Sequence, residues 1–260
     1  MNNPPRFKLF DSHFHIIDKK FPLIENRGYL PDNFSTIDYL NKTKDYSVIG
    51  GTIVSGSFQG FDQDYLFTAL AELGPNFVGI TQLPVTVSDA ELIHLDQTGV
   101  RGVRFNLRRG GSEEVENLDR FSRRIYDLVG WHTELYVDSK DLSALHNTLI
   151  QLPRISIDHL GLSRAGLPNL LSLIEKGIFV KATGFGRVDF PIKPVLQEIT
   201  SINPEALMFG TDLPSTRAPR PYSDDDFLTV IDALGEKLAQ KVFYENGVKF
   251  YRPKGLSNRC

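Results

Sequence analysis

Short apolar runs that finish on a polar or charged side chain recur eight times along the 260 residues. They are Phe7–Phe10 continuing into DSHFH, Val48–Gly56, Phe77–Leu83, Val100–Asn106, Thr133–Val137, Ile155–His159, Ile178–Gly184 and Leu207–Asp212. Their β-branched and aromatic content predicts buried strands. The segments 61–73, 88–95, 118–128, 141–149 and 167–175 instead repeat apolar residues at helical spacing. Glycines at 74, 99, 130 and 177 supply the usual helix stop before the next strand.

Strands alternating with helices imply parallel pairing, and eight such units predict an α/β chain folded as one (β/α)₈ TIM-type barrel over residues 1–260. A doubly wound open sheet gives the same alternation. The polar strand ends favour the barrel, because only there do all of them converge on one mouth. They are His13 and His15, Ser55 and Ser57, Gln82, Arg104 and Asn106, Tyr136, His159, Lys181 and Thr183, and Asp212. The stretch from Lys19 to Asn33 is expected to be a loop over that mouth.

Composition narrows the class of function. With 41% hydrophobic and 23% charged residues the chain can bury a large core without cross-links. Its one cysteine, the terminal Cys260, excludes a disulfide framework and makes a reducing cytoplasm the expected compartment. A net charge of -3 offers no basis for binding nucleic acid or an anionic membrane. No window reaches the ~18 apolar residues of a spanning helix, and the N-terminus does not read as a signal peptide.

The chemistry gathers at four positions. His13 and His15, two apart on an extended segment, point the same way and can bind a metal or polarise a carbonyl. Asp212 ends its strand either as a general base or as a cap for the following loop. His159 competes with Asp158, and alternation makes the two face opposite ways, with Ile155 and Ile157 sharing the direction of His159. His94, His132 and His146 read as structural. Among the arginines, Arg104 and Arg187 suit bidentate carboxylate recognition, whereas Arg101 and Arg108 read as solvated. There is no dinucleotide fingerprint or P-loop, and VSGSF lacks the serine elbow it weakly resembles.

The blocks DSHFH, SDAEL, GVRGVRFN, GWHTELYV, IDHLG, VKATG and FGTDLP together resemble the amidohydrolase superfamily of the amidohydrolase-2 type, in its pyrone-lactonase branch. The resemblance implies a cytoplasmic hydrolase that opens the cyclic ester of a small carboxylated substrate. Asp212 would activate water, and His13, His15 and His159 would polarise the carbonyl. By motif position Tyr29, Ser57, Arg104, Tyr136 and Arg187 would hold the substrate. The branch's second arginine falls at Gly110, where adjacent Arg109 is the candidate substitute.

On this resemblance the expected state is metal-free, the alternative being one zinc on His13, His15, His159 and Asp212. A two-metal site is not expected, since the strand after IDH offers Lys181 and no histidine. A sugar-lactone isomerase or a zinc-dependent decarboxylase on the same barrel is the competing activity. The oligomeric state is open.

Overall fold

The computed structural model describes residues 7–256, so the N-terminal MNNPPR and Cys260 lie outside the described residues. Eight parallel strands follow one another round a single sheet in sequence order. They are β1 (Lys8–Phe14), β2 (Ser47–Val54), β3 (Phe77–Thr81), β4 (Val100–Phe105), β5 (His132–Leu135), β6 (Ile155–Ile157), β7 (Phe179–Ala182) and β8 (Leu207–Phe209). The helices are α1 (Thr36–Thr43), α2 (Asp64–Leu73), α3 (Asp89–Thr98), α4 (Leu118–Val129), α5 (Leu142–Leu149), α6 (Leu167–Glu175), α7 (Ile192–Ile202), α8 (Asp224–Gln240) and α9 (Asn246–Tyr251). This is the TIM-type barrel that the alternation predicts. No helix among the described residues is long and apolar enough to cross a membrane.

Local chemistry sets the element ends. Ser35 and Asp38 form a capping box at α1, and Ser88 accepts the Glu91 amide at the start of α3. Gly99, at a left-handed φ of 112°, then turns the chain from α3 into β4. The expected strands β5–β8 end two or three residues earlier than their polar tails suggest. His159 and Asp212 therefore sit just beyond the ladders, at φ 51° and 60°.

Strand alternation divides the side chains into two populations. Leu135, Ile157, Val180, Leu207 and Phe209 face the helices and join the main core. Phe10, Val78, Ile80, Phe179 and Met208 face inward, where Phe250 and Tyr251 of α9 close the barrel floor. Above that apolar floor the inward positions turn polar. They carry Glu134 on β5, Ser156 on β6 and Lys181 on β7, none of which has any solvent exposure.

One seam is irregular. Among the described residues β8 shares no regular ladder with β1, and the ring is closed by a carboxylate. Asp11 Oδ1 accepts the Thr211 amide at 2.9 Å, and Oδ2 accepts the Thr211 hydroxyl at 2.7 Å and Tyr39 OH at 3.1 Å. Burial pushes the Asp11 carboxyl up to about 6, against the pull of these hydrogen bonds. Beyond the seam, two backbone bonds of 2.7 Å, from Asp212 N to His13 O and from His15 N to Leu213 O, tie the two strand tails together. Asp11→Ala strands buried donors on Thr211 and Tyr39, and should cost about 3 kcal/mol of stability in urea unfolding. Thr211→Val, which removes the hydroxyl's bond to Asp11 and the longer one it accepts from the Leu213 amide at 3.3 Å, should cost less, about 1–2 kcal/mol.

Candidate active site

Three ion-paired layers rise from the barrel floor to its mouth. At the bottom Glu134 accepts Tyr251 OH at 2.8 Å and lies 3.1 Å from His132 Nε2. His132 thus belongs to the floor, as its place at the start of β5 suggests. Above it the Lys181 ammonium lies 2.5 Å from Glu134 Oε2, 3.4 Å from Asp158 Oδ1 and 3.2 Å from His13 Nδ1. Burial alone would raise the Glu134 carboxyl, but Lys181 and the His132 hydrogen bond together outweigh it and bring it to about 2.

Asp158 is the next node. It is fully buried, and its Oδ2 accepts from both Nε and Nη2 of Arg104, at 3.0 and 2.7 Å. Burial opposes its charge, yet Arg104 and Lys181 hold the carboxyl well below the ordinary range. Arg104 also donates through Nη1 to Ser55 O at 2.9 Å, leaving two of its five N–H bonds unassigned.

The sequence-based expectation that Asp158 and His159 face opposite ways is corrected here. The ladder stops at Ile157, and the left-handed backbone of His159 swings its ring back over the barrel axis. Its centroid lies 4.9 Å from that of His13. Both residues consequently point inward, Asp158 below and His159 above. The close packing requires a glycine opposite. A Cβ on Gly184, at φ 60°, would lie 2.6 Å from His159 Nδ1.

At the mouth, His13, His15, His159 and Asp212 come together as expected. Asp212 Oδ2 accepts Arg187 Nε at 2.7 Å, while Oδ1 faces Nε2 of both His13 and His15 at 3.8 Å. Burial works against charge on Arg187, but Asp212 and Tyr136 overcome it and raise its pKa. His15 Nδ1 lies 2.6 Å from Val54 O. A carbonyl only accepts, so Nδ1 carries the ring proton and Nε2 presents a lone pair to Asp212. Burial above all keeps His15 neutral, driving its pKa well below 6.5. Burial and Arg187 do the same for His159. Four buried atoms at the mouth have no hydrogen-bond partner: His13 Nε2, His159 Nδ1, Asp158 Oδ1 and Asp212 Oδ1. Unpaired buried polar atoms are costly, and such a convergent set marks a place for a reacting molecule.

The residues expected to hold substrate separate into two groups. Ser57, Arg104, Arg109, Tyr136 and Arg187 line one small cavity beside His15 and His159. Its space is only about 30 Å³, room for a water molecule. Tyr29 stands behind that wall, stacked 4.4 Å beneath the guanidinium of Arg217. Arg217 is the residue that sequence reasoning missed. It follows β8 in an irregular loop, lines the cavity, and donates to Asn26 O at 3.2 Å, to Asn26 Oδ1 at 3.1 Å and to Ser57 Oγ at 2.9 Å. Asn26 in turn donates to Arg109 O at 3.2 Å, so the expected loop from Lys19 to Asn33 does cover the mouth. Arg101 is paired with Asp96 and largely buried, not solvated. A larger cleft of about 430 Å³ opens between α2 and α3 at the other face of the barrel, without a histidine or carboxylate in its wall.

Two groups of side chains have metal-ligand spacing: His13, His159 and Asp212, and His13, Glu134 and Asp158, each set lying within 4.8 Å. The second already surrounds the Lys181 ammonium. The first is shaped for a divalent ion, but only if His13 Nε2 offers a lone pair. That requires the ring proton on Nδ1, the nitrogen that faces the Lys181 N–H at 3.2 Å. In the tautomer that Lys181 favours, His13 does not fit a metal.

Residues 10–252 match the family model Amidohydro_2, described as amidohydrolase. The chain is 26% identical to a 2-pyrone-4,6-dicarboxylate hydrolase of Comamonas testosteroni, over 96% of this chain and 93% of that protein. It is 25% identical to a 4-sulfomuconolactone hydrolase of Rhizobium radiobacter, over 93% of this chain and 89% of the relative. Among solved structures, a probable 2-pyrone-4,6-dicarboxylic acid hydrolase of Acinetobacter baumannii superposes with a TM-score of 0.81 at 22% identity, covering 94% of this chain and 99% of the other. A putative enzyme of the same description from Pseudomonas putida gives 0.78 at 25%, covering 94% and 97%. The chain belongs to the amidohydrolase family.

Proposed function

We propose that this barrel hydrolyses a lactone of a small acidic substrate by general-base activation of water. The single observation that carries the reading is the acceptor pair at the mouth. His15 Nε2 and Asp212 Oδ1 both present lone pairs, 3.8 Å apart, beside a cavity of water size that His15 lines. Two acceptors repel unless a donor lies between them, and a water can donate one hydrogen to each. The two relatives described above are named as hydrolases, one of 2-pyrone-4,6-dicarboxylate and one of 4-sulfomuconolactone, which agrees with this chemistry.

In the proposed reaction the water oxygen attacks the ring carbonyl while its proton passes to Asp212. Negative charge grows on the carbonyl oxygen, and the N–H of His13 is placed to meet it. The ring C–O bond then breaks, and Asp212 returns its proton to the departing oxygen. Arg187 keeps the Asp212 carboxylate aimed through Oδ2, leaving Oδ1 for the water. This division revises the expectation for His15, which serves the water and not the carbonyl.

Charge at the mouth supports an acidic substrate. Arg104 is neutralised by Asp158 and Arg187 by Asp212. Arg109 and Arg217 have no ion-pair partner among the described residues. Two uncompensated guanidinium groups in one cavity suit carboxylate or sulfonate on the substrate, with Ser57 and Tyr136 alongside. Any metal would fall to His13, His159 and Asp212, where it would supply Lewis acidity; the favoured tautomer of His13 argues for a metal-free reaction.

A panel of acidic lactones followed by acid release, with and without chelator, tests the reading. Hydrolysis should survive chelation and gel filtration, and no turnover of any lactone would overturn the assignment. Asp212→Asn should lower kcat by about 10³-fold or more, since it removes the general base. Arg217→Ala should raise KM by roughly 10-fold or more while kcat changes little, as expected for lost binding at a site remote from the scissile bond. His15 and His159 act as neutral rings whose pKa values lie well below 6.5. Activity should therefore persist as the pH falls through 6.5, and disappear only when the rings protonate at lower pH; a pH–kcat/KM profile with its acid limb at the ordinary imidazole value would contradict this.

A further inference from the structure

Lys181 is fully buried in the barrel, and three acceptor atoms lie within 3.4 Å of its ammonium. One N–H meets Glu134 Oε2, and a second faces Asp158 Oδ1 at 3.4 Å. The third reaches His13 Nδ1 at 3.2 Å with hydrogen-bond geometry. The rival partner of that nitrogen, Asp158 Oδ1, stands farther off at 3.5 Å. An ammonium can only donate, so His13 Nδ1 must accept. A neutral imidazole that accepts at Nδ1 carries its proton on Nε2.

We propose that Lys181 is a positioning residue that fixes His13 as the Nε2–H tautomer, placing a hydrogen-bond donor where the same ring would otherwise offer a metal a lone pair. His15, two residues away, is fixed in the opposite sense by Val54 O. The paired histidines of one strand thus present one donor and one acceptor to the mouth. The donor faces the carbonyl oxygen and the acceptor faces the water. Burial, and then the nearby Lys181 charge, favour the neutral ring that this arrangement needs. The catalytic consequence rests on the lactone-hydrolase reading, but the tautomer and the metal preference do not.

Long-range proton–nitrogen correlation spectra of the histidine-labelled wild-type protein read the tautomers directly, with no substrate present. The expected spectrum has His13 protonated at Nε2 and His15 at Nδ1, each assigned by its loss in the corresponding His→Gln variant. A wild-type His13 protonated at Nδ1 overturns the proposal. Lys181→Met should let His13 move its proton to Nδ1 and donate it to Asp158. That variant should then retain about one equivalent of Zn²⁺ after dialysis where the wild type retains none, in line with the lone pair a zinc ligand requires. Its kcat without metal should fall by about 10²-fold or more, with KM less affected, the effect of losing one oxyanion donor. Because Lys181→Met leaves Glu134 and Asp158 uncompensated, the double variant Lys181→Met/Glu134→Gln removes one of the two charges. An unchanged His13 tautomer in either folded variant overturns the proposal, and unfolding of both leaves the wild-type spectrum to decide it.

Discussion

Charge buried without solvent must be paired, and the interior of this barrel is arranged around that requirement. Glu134 and Asp158, both fully buried, receive Lys181 between them and Arg104 above. Removing one partner from such a pair costs about 3–5 kcal/mol, far more than an exposed ion pair contributes. The network thereby fixes the rotamers of the side chains that touch it. His13 rests on Lys181, and Tyr136 stacks 5.1 Å from Arg104 and edge-on to His159. The upper layer inherits its geometry from the lower one.

That inheritance explains why four nearly adjacent polar residues can do different things. His13 and His15 share a strand and a direction, yet the group behind each ring differs: an ammonium for one, a carbonyl for the other. Asp212 likewise divides its two oxygens, one held by Arg187 and one left without a hydrogen-bond partner. A metal held by His13, His159 and Asp212 would need a lone pair from His13 Nε2. Here the surroundings make His13 and His15 inequivalent, which is the arrangement a water-activating, carbonyl-polarising site requires.

The barrel and its mouth were legible in the sequence because both depend on periodic patterns. Alternation placed the strands, and polar strand ends located His13, His15, His159 and Asp212 at one rim. The pattern fails where the chain leaves the ladder. Beyond Ile157 the alternation no longer applies, so a reading that set Asp158 and His159 on opposite faces lost the central carboxylate of the network. Lys181 was visible as a polar strand end, but Glu134 was not singled out, and nothing in the spacing says that the two meet across the barrel. Arg217 carried no signal at all, since it lies in an irregular loop whose course depends on Asn26, Ser57 and Tyr29. Motif position did recover Ser57, Arg104, Tyr136 and Arg187 around the cavity. It gave no hint that Arg104 and Arg187 already spend hydrogen bonds on carboxylates.

Those commitments shift the weight of substrate recognition toward the rim. An arginine already bound to a carboxylate gains little from a second anion, because its charge is compensated. Arg217 is held by an amide and a hydroxyl, and an entering carboxylate would replace those neutral acceptors with a charged one, giving a stronger hydrogen bond. The cavity is too small for a lactone ring while Arg217 spans Asn26 and Ser57. The exchange of partners would therefore open the space as it binds the anion. In this reading the Arg217 guanidinium joins the loop after β1 to the loop after β8 over the mouth. The rigid charge network below would set the chemistry, and the looser contacts above would choose the substrate.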